Sequence, residues 1–126
     1  MSHETHQIDI SVETVYVEKQ STPENNRYVF AYTVTICNKG SVDAQLISRH
    51  WIITDAAEHI QEVRGEGVVG EKPFINPGSN FEYQSYCPLE TSFGCMKGFY
   101  MMKDECGNCF KIPIPNLGLV SSDQIN

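Results

Sequence analysis

Two short strings and one arginine hold the groups best suited to chemistry. Gly65-Glu66-Gly67-Val68-Val69-Gly70 has the spacing GxGxxG. In a dinucleotide-binding fold that string follows a strand and opens a helix, whose N-terminus holds a pyrophosphate. Here Glu71-Lys72-Pro73 comes next and no helical periodicity follows, so the dinucleotide reading fails on context. Three glycines still permit positive φ and close backbone approach, which leaves N–H groups free to cradle an anion. The competing and favoured reading is that they shape a crossover between two sheets. Arg49 joins this set because it shares a strand face with Trp51 that should point inward. A buried guanidinium needs a carboxylate or several carbonyls, and Glu66, Glu62 and the main-chain oxygens of the glycine loop are the candidates. The anion-contacting candidates are thus Arg49, Gly65, Glu66, Gly67 and Gly70; the alternative role for Arg49 is an ion pair that pins the loop.

Cys106-Gly107-Asn108-Cys109 is a C-x-x-C on an expected hairpin turn. Two thiolates at this spacing can chelate one zinc, but a structural site needs four ligands and no second pair stands nearby. A redox use would place the motif at a helix start in a βαβ setting, which is missing, so two loop thiols are the favoured reading. If the strands follow fibronectin-like order, the turns at 39–44, 65–78 and 104–108 gather at one end. Cys37 then lies near Cys106 and Cys109, which leaves a three-thiol metal site geometrically open. Cys87 and Cys95 fall together at the other end, with Cys95 about 27 Å from the Cys109 hairpin at the usual strand rise. His3 and His6 read as part of a mobile N-terminus, and His50 and His59 as isolated. With no nucleophile elbow, triad or paired carboxylates in a pocket, no enzyme activity and no cofactor are expected.

Strands must position these groups. Ile8, Ile10 and Val12 alternate, and Val15 and Val17 continue out of phase, which predicts a bulge near Glu13–Thr14. Ser21–Asn26 is a turn cluster. Tyr28, Phe30, Tyr32, Val34 and Ile36 then share one face of the strongest strand in the chain. After Asn38-Lys39-Gly40-Ser41 a strand runs from Ala44 to Asp55, with Ile47, Arg49, Trp51 and Ile53 on one face. Ile60–Arg64, Ser79–Cys87, Cys95–Lys103 and Cys109–Pro115 complete seven strands, and Asn116–Asn126 reads as a coil tail. Short strands at regular spacing with a central Trp predict an all-β, two-sheet antiparallel sandwich, fibronectin type III-like or immunoglobulin-like, as one domain over residues 1–126.

The net charge is −7. Such a field repels phosphate backbones, and the nine Lys and Arg residues are scattered singly, so nucleic acid is not an expected partner. No apolar run approaches the ~20 residues of a membrane-spanning helix. The N-terminus lacks the basic and apolar regions of a signal peptide. A cytoplasmic protein with reduced thiols is therefore expected, despite an odd count of five cysteines.

The segments YVFAYTVTI (Tyr28–Ile36), SRHWIITD (Ser48–Asp55) and VRGEGVVGEKPFINPGSNFEYQS (Val63–Ser85) resemble the ApaG family of bacterial proteins. Gly98-Phe99-Tyr100 and the FKIPIP string at Phe110–Pro115 fit as well. The resemblance spans nearly the whole chain and implies the same sandwich. It also implies an association with cobalt tolerance and magnesium efflux, and related domains that act as interaction modules within larger proteins. Only Gly65, Gly67 and Gly70 carry over to the family's phosphate-binding motif, and the C-x-x-C departs from the family pattern. The expected function is a non-enzymatic module that binds a protein partner, as a monomer or weak homodimer. The alternative is a small anion- or divalent-ion-responsive protein acting indirectly in cobalt and magnesium homeostasis.

Overall fold

The computed structural model describes residues 6–121. His3 and the last five residues of the expected tail lie outside the described residues. Eight strands follow in order: β1 (Ile8–Tyr16), β2 (Tyr28–Asn38), β3 (Ala44–Asp55), β4 (Ile60–Glu66), β5 (Phe74–Ile75), β6 (Asn80–Leu89), β7 (Phe93–Asp104) and β8 (Cys109–Val120). Two short 3₁₀ turns, Glu18–Gln20 and Pro23–Asn25, are the helical elements among the described residues. Among the described residues no helix is long and apolar enough to cross a membrane.

All named pairings are antiparallel. One sheet has the order β1-β2-β6, the other β4-β3-β7-β8 with the short β5 also paired to β3. This is the strand order of a fibronectin type III-like sandwich. Alternation drives the layering. Phe30, Tyr32, Val34 and Ile36 of β2 point into the gap between the sheets, where they meet Trp51 and Ile53 of β3 and Met96, Tyr100 and Met102 of β7. A fully buried side chain of this size stabilises by roughly 1.5–3 kcal/mol, and the shared layer is what fastens the sheets to each other.

Two local expectations are corrected by register. β1 pairs with β2 without a shift from Ile8↔Asn38 to Tyr16↔Phe30, so there is no bulge at Glu13–Thr14. Val15 faces outward and is 64% exposed; its apolar side chain belongs to the solvent face of an edge strand. Register shifts lie instead in β3, between Leu46 and Ser48, and in the β7–β8 ladder, between Met96 and Gly98. Leu46 takes the core position, Ile47 is the extra residue, and the inward face moves to Arg49, Trp51 and Ile53. The expected coil from Asn116 is also corrected as far as Val120. β8 continues to that residue, pairing Leu117 with Met96 and Leu119 with Gly94. Leu117 and Leu119 are buried, and that burial holds the strand in place.

The sandwich has one closed side and one open side. β1 and β8 pack against each other across the first. On the second, β6 pairs only with β2 and β4 only with β3, so both present unpaired edges on either side of the gap. That geometry sets the stage for the site.

Candidate functional site

Arg49 stands in β3 between two cross-strand neighbours, Gly65 of β4 and Tyr100 of β7. Its guanidinium lies flat over Gly65: a Cβ there would come within 2.7 Å of Nη2. Gly65 is therefore a seat for the arginine, whereas Gly67 and Gly70 have positive φ, at 64° and 81°. From that seat Nη1 donates to the carbonyls of Glu66 at 3.1 Å and Gly67 at 2.9 Å. Main-chain oxygens of the glycine loop are thus the partners, as the sequence allowed. The two carboxylates offered as alternatives are engaged elsewhere. Glu66 pairs with Lys72 at 2.6 Å, and Glu62 pairs with His50 and Arg64. Among the described residues Arg49 has no carboxylate partner, although it is half-buried.

Backbone hydrogen bonds tie the GxGxxG loop to β3 and across its own turn. Gly67 N–H donates to Ile47 O, and Val68 and Glu71 exchange N–H···O bonds of 2.8 and 2.9 Å. Val69 and Gly70 occupy the tip of this two-residue turn, both with positive φ. Val68 is buried beneath them. The loop is thus a closed reverse turn held from below by the Arg49 guanidinium of β3.

Sequence reasoning missed what faces Arg49. Tyr32, Tyr83 and Tyr100 turn their hydroxyls into the same layer, with Tyr83 and Tyr100 hydrogen-bonded to each other. Ser85 stands beside Tyr32 and lines the same cleft. Burial pushes all three phenols above their ordinary range, while the Arg49 charge opposes the rise at each one, as its proximity requires. Inward tyrosines on alternating positions read as core, and nothing in their spacing marks them as polar neighbours of one arginine. Trp51 packs edge-on against Tyr32 and Tyr100. Its indole N–H is buried and has no partner among the described residues.

A cleft of about 250 Å³ enters this layer from the open side, between Gln61 and Val63 of β4 and Ser85 and Tyr86 of β6, with Arg49 and Trp51 also in its lining. It shares Ile53, Gln61 and Pro88 with a second hollow of about 660 Å³, which reaches Arg27 and Glu90. The two form one groove along the gap. Ile60 and Tyr86 line it and are 68% and 53% exposed.

The cysteines are arranged otherwise than a metal centre requires. The turns following β2 and β7 do meet at one end with β5, since Ala44 pairs with both Ile75 and Asp104. Yet no group of three or more His, Cys, Asp or Glu among the described residues is placed to hold a metal ion. Cys37, Cys106 and Cys109 are thus not drawn into one site. Cys87 is buried in β6, whereas Cys95 is exposed on β7 of the other sheet. The C-x-x-C belongs to a turn built by Asp104, whose Oδ1 accepts the N–H groups of Cys106 and Asn108, both at 2.9 Å. His6 stacks on Phe110 and reaches Asp104 Oδ2 at 2.9 Å. It is docked on the hairpin, contrary to the expectation of a mobile N-terminal histidine. His50 and His59 are likewise paired, with Glu62 and Asp55.

A three-plus-five antiparallel sandwich with a groove along its open side and one half-buried arginine in that groove defines a fibronectin type III-like scaffold. The chain belongs to the ApaG family: the ApaG domain matches residues 18–104. It is similar to Protein ApaG of Brucella suis, 53% identical over 120 residues that cover 95% of this chain and 92% of that one. Protein ApaG of Thiobacillus denitrificans is 56% identical over 114 residues, 90% of each chain. Among solved structures, a Bordetella pertussis protein described as ApaA superposes with a TM-score of 0.92 at 50% identity, covering 94% of this chain and 97% of that one.

Proposed function

We propose that this chain is a binding module without a reaction of its own, and that it engages a protein partner along the open side between β4 and β6. The observation that carries this reading is the pair of unpaired edge strands flanking a groove with apolar, exposed lips at Ile60 and Tyr86. A free edge offers a row of main-chain donors and acceptors, the form of recognition used when an extended segment adds to a sheet. The closed side lacks this opportunity, because β1 and β8 cover each other. The alternating side chains of an added strand point into the groove and away from it by turns, so the groove reads one face of the segment.

Site-specific photo-crosslinking in the host cell tests the reading. A photoreactive residue at position 60 or 86 is expected to capture a defined partner, while the same residue at Lys97 on the outer face of β7 does not. Equal capture at all three positions, or capture only at Lys97, removes the open side as the docking surface.

A further inference from the structure

The open-side groove has a chemical preference, and Arg49 sets it. We propose that the cleft between β4 and β6 is a carboxylate-binding site, which takes the acidic side chain of an extended partner segment onto Arg49. The inference rests on the docking reading above and names what that surface recognises.

Three observations converge. Arg49 is a half-buried cation without a carboxylate partner among the described residues, in a chain that carries sixteen acidic residues. Its two hydrogen bonds to the chain both leave from Nη1, so the rest of the guanidinium fork keeps its donor capacity. A planar fork of this kind suits a carboxylate, which accepts two parallel N–H···O bonds. The second observation is Trp51, which lines the same cleft and holds a buried indole N–H with no partner among the described residues. That N–H is sealed from solvent and so does not reach into the cleft; the indole's part in the site is as a wall against which the bound side chain packs. The third is size and entry. The cleft of about 250 Å³ opens between two edge strands and bears Gln61 and Ser85 near its mouth. A space of this size admits a side chain projecting from an extended segment, and the flanking edges bind its backbone. The net charge of −7 disfavours a dianion such as a phosphate group, and a singly charged carboxylate is the lesser burden.

The chain has one tryptophan, so the Trp51 indole N–H resonance is a built-in reporter of the cleft. The intact protein is titrated with a capped pentapeptide of alternating Val and Glu, with its Gln counterpart, and with acetate and inorganic phosphate. The Glu peptide is expected to move the indole resonance saturably, together with backbone amides of β4 and β6. The Gln peptide should bind about tenfold or more weakly, since it loses the charge-assisted bonds. Arg49→Gln should erase the difference between the two peptides. Should that variant fail to fold, the Glu–Gln comparison on the unaltered protein still decides. Equal binding of the two peptides overturns carboxylate recognition while the edge-strand docking reading survives. The Glu peptide moving the indole with the edge amides unmoved, as acetate alone would, overturns a peptide-borne ligand, and phosphate moving the indole as strongly as the Glu peptide overturns the preference for a carboxylate. No response to any probe removes both readings.

Discussion

The Arg49 guanidinium rests on Gly65, its partner across the β3–β4 ladder, at a separation that leaves no room for a Cβ. Glycine is required here for contact, not for backbone conformation. Gly65→Ala should push the flexible arginine off its seat and break its bonds to the Glu66 and Gly67 carbonyls. Hydrogen bonds from a charged donor contribute roughly 1.5–3 kcal/mol, so a loss of about 2 kcal/mol in urea unfolding is expected. In an Arg49→Ala background the same glycine change should have little effect, and a double-mutant cycle measures the coupling. Strict additivity would show that Gly65 matters for some other reason.

Val69 sits at a φ of 42°, exposed at the tip of the glycine loop. A β-branched residue with positive φ is strained, and strain of this kind amounts to about 1–3 kcal/mol. Two central residues with positive φ are what a type I′ turn demands, and Asn-Gly is its preferred pair. Val69→Asn should therefore raise stability by about 1 kcal/mol, read as a higher thermal midpoint. If the midpoint falls, the valine contributes a contact at the loop tip that outweighs its strain.

Thiol chemistry should sort by burial. Cys87 is buried, and that burial pushes its thiol up to about 11. Cys95, Cys106 and Cys109 are exposed. Native labelling with a thiol reagent should modify those three quickly and Cys87 only after denaturation, because the thiolate is the reacting form. Peptide mapping of the labelled protein checks the order. Early modification of Cys87 would mean that the open side of the sandwich parts readily.

Where the sequence was legible, alternation made it so. The core face of β2 follows from Phe30, Tyr32, Val34 and Ile36, and the partners of Arg49 follow from the need of a buried guanidinium for oxygen. The failures have physical causes. Leu46 and Ile47 are both apolar, so pattern alone does not say which one enters the core and which one bulges. The last strand is expected to end at Pro115, but Pro113 and Pro115 sit on an edge strand where a missing N–H is tolerated, and the strand runs on to Val120. The tyrosines around Arg49 escaped notice because an inward tyrosine looks like any core aromatic until its hydroxyl is placed. The groove arises from the pairing of the two sheets across sequence-distant strands, which no local pattern encodes.

Asp104 gives the chain its clearest acid sensitivity. Its carboxylate accepts the backbone N–H groups of Asn108 and Cys106, faces His6, and also meets the Asn108 side chain. The Asn108 backbone bond is the largest cause of its low value, followed by His6, and together these contacts bring it from the ordinary 3.8 to about 2. A carboxyl depressed on folding adds stability above its unfolded value. That contribution is lost as pH falls through the folded value. Stability should therefore decline between about pH 4 and pH 2, and the β7–β8 hairpin should open before the rest of the sandwich, because its turn is built on the ionised group. Asp104→Asn should be less stable at neutral pH and should show a flatter profile across that window. The check is urea unfolding as a function of pH, with hydrogen exchange at Cys106 and Asn108 as the local readout. If the variant and the unaltered chain keep parallel profiles, another carboxylate carries the acid transition and the hairpin is held by its backbone alone.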